Sequence, residues 1–425
     1  MSSPRTVITG LGAVCGAGMT VDAIWNAVQS GESAIGPIKG WDTSRWPVRN
    51  AAEVVADNVS LVPDRKLHKM ISRTDLFGLY AVHSAIQQSG LLGYREKLDE
   101  QGAAQFSDRT GVFSGPGGGA YQSNYDFLPL LTVAGGDLQT FGSELGNTVN
   151  PMWLLKNLPN NVLCHVGIRY GFKGTNACIA NQCVGGVLAV AEAAAAIRDG
   201  EADRAVAVGH DAPLEPENAL NYHRLGLLAD DNLRPFDRQR AGTIFGEGAG
   251  ALVLEKEAGA QCRQAVILGE FLGSGCTTEA IGFLDVRPDG DGVSRAIELA
   301  LTDAGIARND VGMIVAHGNG TRSSDASEVI AIRRVFGEDP PPVTAFKWAF
   351  GHSIAASGVI DLVLALIALR QQIVPGIPTL ESLDPALAPF PVASTAQKPR
   401  SDIAVVISRG FGGMNVAIIV RAVAG

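Results

Sequence analysis

The fold is decided by residues 176–200, whose sequence is NACIANQCVGGVLAVAEAAAAIRDG. The part from Val184 to Ala196 has almost no polar face, so the sequence predicts a helix that is buried on nearly every side. Arg198 followed by Gly200 marks the end of that helix. A helix of this kind has to be covered on both sides, which a fold of only two layers does not do well.

Cys183 lies at the mouth of this helix, next to Gly185 and Gly186. The first turn of a helix offers unpaired N–H groups and the positive end of the macrodipole. Both favour thiolate over thiol, and the thiolate is the nucleophilic form of cysteine. The sequence therefore indicates a nucleophile at Cys183, with the alternative that it is one more small buried residue.

Composition sets limits on the class of protein. The chain has 425 residues, of which 46% are hydrophobic and 18% are charged, and its formal charge is −9. A negative balance argues against nucleic acid and anionic membranes as partners. Six scattered cysteines without a CxxC pair predict neither a disulfide framework nor a zinc site. The first ten residues resemble no signal peptide, and the apolar run 358–374 contains Asp361 and Arg370, so we expect a cytoplasmic protein without a membrane span.

A glycine-rich segment follows the first predicted strand, residues 5–10. The sequence GLGAVCGAG before a helix raises the possibility of a dinucleotide-binding loop. However, no acidic residue ends a second strand about 20 residues later, as such a site requires. We expect instead that these glycines allow close packing.

The chain repeats one plan twice, with strands and helices alternating on either side of a polar stretch at residues 256–264. This alternation predicts an α/β fold with a mainly parallel sheet and two halves, 1–258 and 259–425. Each half contains one helix that is apolar all round, the second at about 355–371, so the sequence predicts helices sandwiched between two sheets. Residues 120–160 are expected to be irregular.

Further candidates for chemistry lie in the second half. His317 ends a strand in MIVAHGNGT and His352 opens the second apolar helix in KWAFGHSIAASG, each beside a glycine. Asp325 and Glu328 have the spacing of an N-cap and N3 pair, which favours a capping box. The segment SRGFGGMN (408–415) predicts a strand, a tight turn that carries Phe411, and a second strand.

Together these residues resemble the elongating β-ketoacyl-ACP synthases of the thiolase superfamily. The resemblance covers nearly the whole chain. It is carried in order by VITGLGAVCGAG, RPFDRQRAGTIFGEGAG, the loop from His317 to Glu328, the segment from Lys347 to His352, and the final GFGG. It implies a five-layered α-β-α-β-α sandwich of two similar halves, a dimer, and an acyl carrier protein as partner.

The resemblance also assigns roles. It implies that Cys183 accepts the acyl chain, that His317 and His352 stabilise the enolate of malonyl-ACP, and that Lys347 lies near them. It makes Phe411 the gate, with backbone N–H groups of Cys183 and Phe411 as an oxyanion hole, and Glu328 a structural acid beside Asp325. Substrate contacts are implied for Thr321, Asn319 and Gly413. No metal and no nicotinamide is expected.

Some positions differ from the usual family pattern, and all of them are expected around the acyl pocket or its mouth. They are Asn181, Gln182, Val184, Gly185, Gly186, Asn319, Arg409 and Met414. We therefore expect a specialised primer, such as a polyene or polyketide intermediate, in place of a housekeeping fatty acid. The same differences leave open a heterodimer with a chain-length-factor homologue that lacks the cysteine.

Three other functions compete with this one. A thiolase-like acyltransferase acting on CoA esters would share the fold, but the pair of histidines argues against it. A non-catalytic partner subunit would have lost the nucleophile, whereas Cys183 is present. A nucleotide-binding oxidoreductase would depend on the N-terminal glycines alone.

Overall fold

The computed structural model describes residues 4–117 and 128–423. The strands of this part are β1 (Thr6–Cys15), β2 (Gly36–Pro37), β3 (Asn50–Ala51), β4 (Thr110–Pro116), β5 (Asn176–Cys178), β6 (Arg204–Asp211), β7 (Gly248–Lys256), β8 (Gly269–Thr278), β9 (Met313–Val315), β10 (Val343–Thr344), β11 (Ile403–Gly410) and β12 (Met414–Ala422).

The helices alternate with these strands. They are α1 (Val21–Ser30), α2 (Asn58–Leu61), α3 (Arg73–Ser89), α4 (Leu91–Arg95), α5 (Glu100–Asp108), α6 (Leu128–Ala134), α7 (Leu138–Thr148), α8 (Trp153–Lys156), α9 (Asn161–Tyr170), α10 (Gly185–Arg198), α11 (Pro216–Arg224), α12 (Glu257–Cys262), α13 (Asp291–Ala304), α14 (Arg322–Phe336), α15 (Lys347–Phe350) and α16 (Ser357–Arg370). Short 3₁₀ turns occupy Leu67–Lys69, Gln182–Val184, Arg308–Asp310, Ile354–Ala356 and Pro385–Leu387.

The strand order shows the internal repeat directly. Ten strands form a sheet in the order β10-β9-β11-β12-β8-β1-β7-β6-β4-β5, while β2 and β3 pair separately. Counted in chain order within each half, both halves read 3-2-4-5-1 from the outer edge to the middle. They join where Thr6–Ile8 pairs antiparallel with Gly269–Phe271. The predicted boundary between the two halves, at residues 258 and 259, falls inside helix α12, and the sheet is continuous from one half to the other. The boundary therefore stays a prediction.

The expectation of a mainly parallel sheet is wrong. β4 runs parallel to β5 and β6, and β9 runs parallel to β10 and β11, but the other five pairings are antiparallel. The reason is that the last strand of each half, β7 or β12, lies antiparallel to both of its neighbours, and that β1 and β8 pair antiparallel where the halves join.

Five layers are present, as the resemblance implies. Helices α10 and α16 lie in the middle, because each contacts strands of both halves: α10 contacts β4 and β12, and α16 contacts β7 and β11. Helix α3 covers β1 and β7 on one outer face, and α13 covers β8 and β12 on the other. The two apolar helices therefore form the central layer, which confirms the prediction made from their lack of a polar face.

Two of the N-terminal glycines, Gly10 and Gly12, belong to a strand and not to a loop. β1 runs through them to Cys15, so the expected end of the strand at residue 10 is wrong. A Cβ on Gly10 would lie 2.2 Å from the carbonyl oxygen of Ala85, and one on Gly12 would lie 2.0 Å from that of Ala81, both in α3. These glycines let β1 pack directly on the backbone of α3, as expected, and present no phosphate-binding turn.

The excursion between β4 and β5 is more regular than predicted. Residues 128–156, expected to be irregular, contain α6, α7 and α8, while residues 120–127 lie outside the described part of the chain. Asp137 caps α7 by accepting hydrogen bonds from the N–H groups of Gln139 and Thr140. An aspartate at this position is a sequence pattern that predicts the start of a helix.

Candidate active site

Cys183 lies in a tight turn that leads into the central helix α10. The turn Gln182–Val184 places Gln182 at φ 45°, a conformation that few side chains adopt, and the thiol is buried. A Cβ on Gly410 would lie 3.3 Å from the Cβ of Cys183, so the glycine lets the hairpin of β11 and β12 approach the cysteine. The backbone N–H groups of Cys183 and Phe411 face the sulfur.

The N–H groups at the helix start favour the thiolate of Cys183, as expected, but burial has the larger effect on its pKa. Burial raises the pKa of the Cys183 thiol to about 12, and the nearby carboxylate of Asp211 adds to the rise. Lys347 and the two N–H groups lower the pKa but do not offset burial. Because desolvation acts against every charged form, the resting enzyme holds a neutral thiol at pH 7.

The two histidines come together although 35 residues separate them in sequence. The rings of His317 and His352 lie edge to face with centroids 5.2 Å apart, and both side chains are buried. Burial, together with the charge of Lys347, holds the pKa of each imidazole well below its usual value. Both rings are therefore neutral, and each can donate one N–H group.

Two carboxylates hold the loop that carries His317. Glu328 accepts hydrogen bonds from the N–H groups of His317 at 2.7 Å and Gly318 at 3.0 Å. Asp325 accepts hydrogen bonds from Phe236 and Gly320. The predicted capping box is wrong, because α14 begins three residues before Asp325 and both acids lie inside the helix. Their carboxylates accept hydrogen bonds from backbone N–H groups outside the helix and do not cap its first turn.

His352 is held by Ser357, the first residue of α16. Its Nδ1 lies 3.0 Å from the hydroxyl of Ser357, which also accepts a hydrogen bond from the N–H of Ser353. The Nζ of Lys347 donates to Asp361 at 2.7 Å, and both side chains are fully buried. Asp361 is the single acid among the apolar residues of α16, so its presence was the sequence signal for a buried basic partner.

The hairpin predicted at residues 408–415 is present and brings Phe411 to the cysteine. Gly412 and Gly413 take φ 81° and 71°, which glycine adopts without strain. The ring of Phe411 lies 5.2 Å from that of Tyr222 and 6.3 Å from that of Phe283. Neither Tyr222 nor Phe283 belongs to a motif, and only the folded chain places them at the site.

One cleft joins these groups. Cys183, His317, His352, Phe411 and Gly413 line it. Asn319 and Thr321 line it as well. The Oδ1 of Asn319 accepts hydrogen bonds from the backbone N–H and from the hydroxyl of Thr321. Lys347 and Glu328 lie behind the histidines and not in the wall. The cleft also contains residues that the sequence analysis did not assign to it, namely Tyr222, Leu227, Thr243, Glu279, Phe283, Leu284, Ser323, Ser324 and Asn415.

Among residues 4–117 and 128–423, no group of three or more His, Cys, Asp and Glu side chains is placed to hold a metal ion. Within the same described ranges, no helix has the length and hydrophobicity that a bilayer crossing needs.

Comparisons with known proteins agree with this arrangement. Sequence models described as "Beta-ketoacyl synthase, N-terminal domain" and "Beta-ketoacyl synthase, C-terminal domain" match residues 4–260 and 268–381. The 3-oxoacyl-[acyl-carrier-protein] synthase 2 of Coxiella burnetii (strain RSA 493 / Nine Mile phase I) is 31% identical, with 100% of both chains covered.

Solved structures give the same result. The ishigamide ketosynthase/chain length factor matches with a TM-score of 0.87 and 27% identity over 100% of both chains. AntDE:AntF, a type II PKS acyl-carrier protein in complex with its ketosynthase bound to the hexaketide, matches with a TM-score of 0.84 and 26% identity, covering 99% of this chain and 100% of that chain. The protein is an enzyme of the acyltransferase class, and the chain belongs to the β-ketoacyl synthase family.

Proposed function

We propose that the protein condenses malonyl-ACP with an acyl primer held on Cys183, releasing CO2 and forming a β-ketoacyl-ACP. The observation that carries this proposal is the convergence of a buried thiol, two neutral imidazoles and two backbone N–H groups on one cleft. Nucleophile, enolate stabiliser and oxyanion hole are the three parts that such a reaction needs.

The first half-reaction loads the enzyme. The sulfur of Cys183 attacks the thioester of acyl-ACP, and the N–H groups of Cys183 and Phe411 stabilise the oxyanion that forms. The carrier thiol leaves and takes up the proton that Cys183 gives away. Because burial raises the pKa of Cys183, the attacking thiolate forms only as this proton moves, and Lys347 favours that charged form.

The second half-reaction uses the histidines. Loss of CO2 from malonyl-ACP leaves an enolate. Its oxygen accepts hydrogen bonds from the N–H groups of His317 and His352. The carbanion carbon then attacks the acyl carbonyl on Cys183, the C–S bond breaks, and the departing thiolate takes a proton from solvent. Since both imidazoles are neutral, they donate hydrogen bonds without binding the malonyl carboxylate as an ion pair.

An acyl carrier protein is the proposed partner at the mouth of the cleft. Exposed Arg224 and Arg322 lie beside the lining residues Tyr222, Thr321 and Ser323, and Phe283 is 71% exposed on the same rim. Two cations beside an apolar centre suit an acidic protein that delivers a thioester arm, and the exposed Asp285 is an anion on the same rim. The exposed cluster Arg65, Lys66 and Lys69 adds positive charge elsewhere on the surface.

We propose a specialised primer, such as a polyene or polyketide intermediate. Phe411, Tyr222 and Phe283 form an aromatic wall, and the cleft also carries the polar side chain of Asn319. Flat conjugated or oxygenated chains can stack on such rings and hydrogen-bond to such groups, whereas flexible saturated chains gain less.

No metal or nicotinamide takes part in the proposed cycle, and the reaction is placed in the cytoplasm. All six cysteines are free thiols, as a reducing compartment keeps them. Activity that survives exhaustive chelation and needs no added NADPH is the result expected of this cycle.

Intact-protein mass after mixing with acyl donors tests the function. Wild type should gain an acyl mass from acyl-ACP, and Cys183→Ala should gain none. A panel of saturated C8–C14, conjugated and β-keto primers then ranks the substrates. Loading by acyl-CoA without a carrier protein would favour the thiolase-like alternative, and a saturated C8–C14 chain as the best primer would contradict the specialised one.

A further inference from the structure

Arg409 is one of the residues that line the cleft, and its guanidinium is buried with all its donors in use. Arg409 is the penultimate residue of β11 and is 5% exposed. A guanidinium has five N–H donors, and five acceptors surround this one. They are Asn415 Oδ1 at 3.0 Å, the Ser324 carbonyl at 2.8 Å, Ser324 Oγ at 3.3 Å, Glu279 Oε1 at 2.7 Å and Ser327 Oγ at 3.4 Å.

This saturation decides what Arg409 can do. A guanidinium in a synthase cleft could bind the carboxylate of malonyl, but here no donor remains for a substrate. Its charge is also balanced, because it pairs with the buried carboxylate of Glu279. Arg409 is therefore not a substrate ligand, and its role has to act through its neighbours.

The contacts of Arg409 close a ring around His317. Its backbone N–H donates to His317 Nδ1 at 3.4 Å. Its side chain binds Ser324 and Ser327 of α14, and Glu328 of the same helix binds the backbone N–H of His317. Arg409 thus joins the group that holds the ring of His317 to the helix that holds its backbone.

We propose that Arg409, paired with Glu279, is a positioning residue that keeps His317 with Nδ1 as acceptor and Nε2–H as donor during malonyl decarboxylation. A backbone N–H can only donate, so contact with Nδ1 leaves the ring proton on Nε2. This inference rests on the proposed function, since it concerns the enolate-stabilising step of that cycle.

The effect should be selective for one half-reaction. The turn that carries the Phe411 N–H is held independently by backbone bonds, from Gly412 N–H to the Phe283 carbonyl at 2.8 Å and from Glu279 N–H to the Gly413 carbonyl at 2.9 Å. These bonds do not involve the guanidinium. Acylation of Cys183, which uses the Phe411 N–H, therefore does not depend on Arg409 as decarboxylation does.

The charges around His317 predict a pH signature. The groups that face it are Arg409, Lys347, His352, Glu328, Asp325, Glu279 and Cys183. Arg409 and Lys347 disfavour the imidazolium, which cannot accept the Arg409 N–H. Removing the cation while Glu279 remains makes protonation easier, so the acid limb of the decarboxylation profile should move to higher pH.

The experiment measures the two half-reactions separately on the full-length enzyme. Self-acylation is followed by intact mass, and CO2 release from malonyl-ACP is followed from pH 5 to 9. The variants are Arg409→Met, Arg409→Lys, which keeps the charge without the planar fork, and the double variant Arg409→Met with Glu279→Met, which removes both charges. The matched control is Arg263→Met with Glu255→Met, a buried ion pair that does not line the cleft.

Arg409→Met should slow decarboxylation by about 100-fold, the order that a misplacement of 1 Å costs, with acylation near the wild-type rate. Arg409→Lys should slow decarboxylation without moving the acid limb, and the control pair should alter neither half-reaction. Wild-type decarboxylation in the Met variants, or a parallel loss of acylation, would overturn the inference. A wild-type enzyme that performs neither half-reaction would overturn the proposed function itself.

Discussion

At the scale of single residues, the pKa of the nucleophile Cys183 depends on several opposing effects and not on the helix start alone. Burial and Asp211 work against the thiolate of Cys183, while Lys347 and two N–H groups work for it. Burial also raises the pKa of Asp211 to about 7, so its charge changes within the physiological range. The reactivity of Cys183 should therefore respond to a carboxylate outside the cleft lining.

Asp211→Asn should make Cys183 react faster with iodoacetamide at pH 8. Removing the negative charge lowers the pKa of the thiol, and the thiolate fraction rises about tenfold for each unit of that decline. Below pH 7 the wild-type carboxyl is itself protonated, so the two proteins should converge there. Peptide mass spectrometry follows Cys183 apart from the exposed cysteines. Asp289→Asn, which changes an exposed carboxylate, is the control, and equal rates at pH 8 would contradict the prediction.

At the scale of elements, one ion pair fixes the catalytic segment to the central layer. Lys347 begins α15, Asp361 lies in α16, and their contact crosses between the two inside the core. Removing two charges from water costs free energy, and neither charge of this fully buried pair contacts solvent. Its retention therefore indicates a use for the cation beside Cys183 and the histidines rather than a contribution to stability.

Lys347→Met and Lys347→Met with Asp361→Leu should separate these two roles. The single variant strands a buried carboxylate and should lower the free energy of unfolding by about 3–5 kcal/mol. The double variant should recover that stability, because well-packed apolar residues often replace a buried pair without loss. Urea unfolding measures the first effect. The double variant should nevertheless condense more slowly than wild type, and full activity would show that the cation has no catalytic use.

Patterns within an element were predictable from sequence, and contacts between distant elements were not. The apolar helices, the hairpin at Phe411 and the close packing of Gly12 follow from local composition. Asp325 and Glu328 were misread because their spacing fits a cap equally well, and only the fold shows which N–H groups they meet. The neutral thiol does not follow from the local sequence either, because the pKa of Cys183 depends on Asp211 and Lys347, which only the fold brings near it.

The relation between the motifs required the family resemblance. Nothing local in MIVAHGNGT or KWAFGHSIAASG places His317 against His352, and only strand order and the central layer bring them together. Arg409 was marked as a difference from the family, but its role as the centre of a buried network depends on Glu279, which no motif contains.

At the scale of the whole molecule, the excursion before Cys183 leaves a strand edge and several apolar side chains exposed. β5 is the outermost strand of its half, and one of its edges has no neighbouring strand among the described residues. The helices before it expose Val133 at 77%, Leu154 at 63% and Ile168 at 77%. An open strand edge next to exposed apolar side chains favours association. We propose a second copy of this chain as the occupant, with a chain-length-factor homologue as the alternative.

Leu154→Glu with Ile168→Glu should therefore convert the proposed dimer to a monomer, because carboxylates buried at the interface would lose their hydration. Light scattering coupled to size exclusion measures the mass, and Val266→Glu, which changes an apolar side chain that is 69% exposed outside this excursion, is the control. A wild-type protein that is monomeric alone but becomes a dimer with a co-expressed homologue would point to the heterodimer. A charged variant that stays dimeric would show that the interface lies elsewhere. Because β5 leads within five residues to Cys183, loss of the dimer should also lower the rate of acylation.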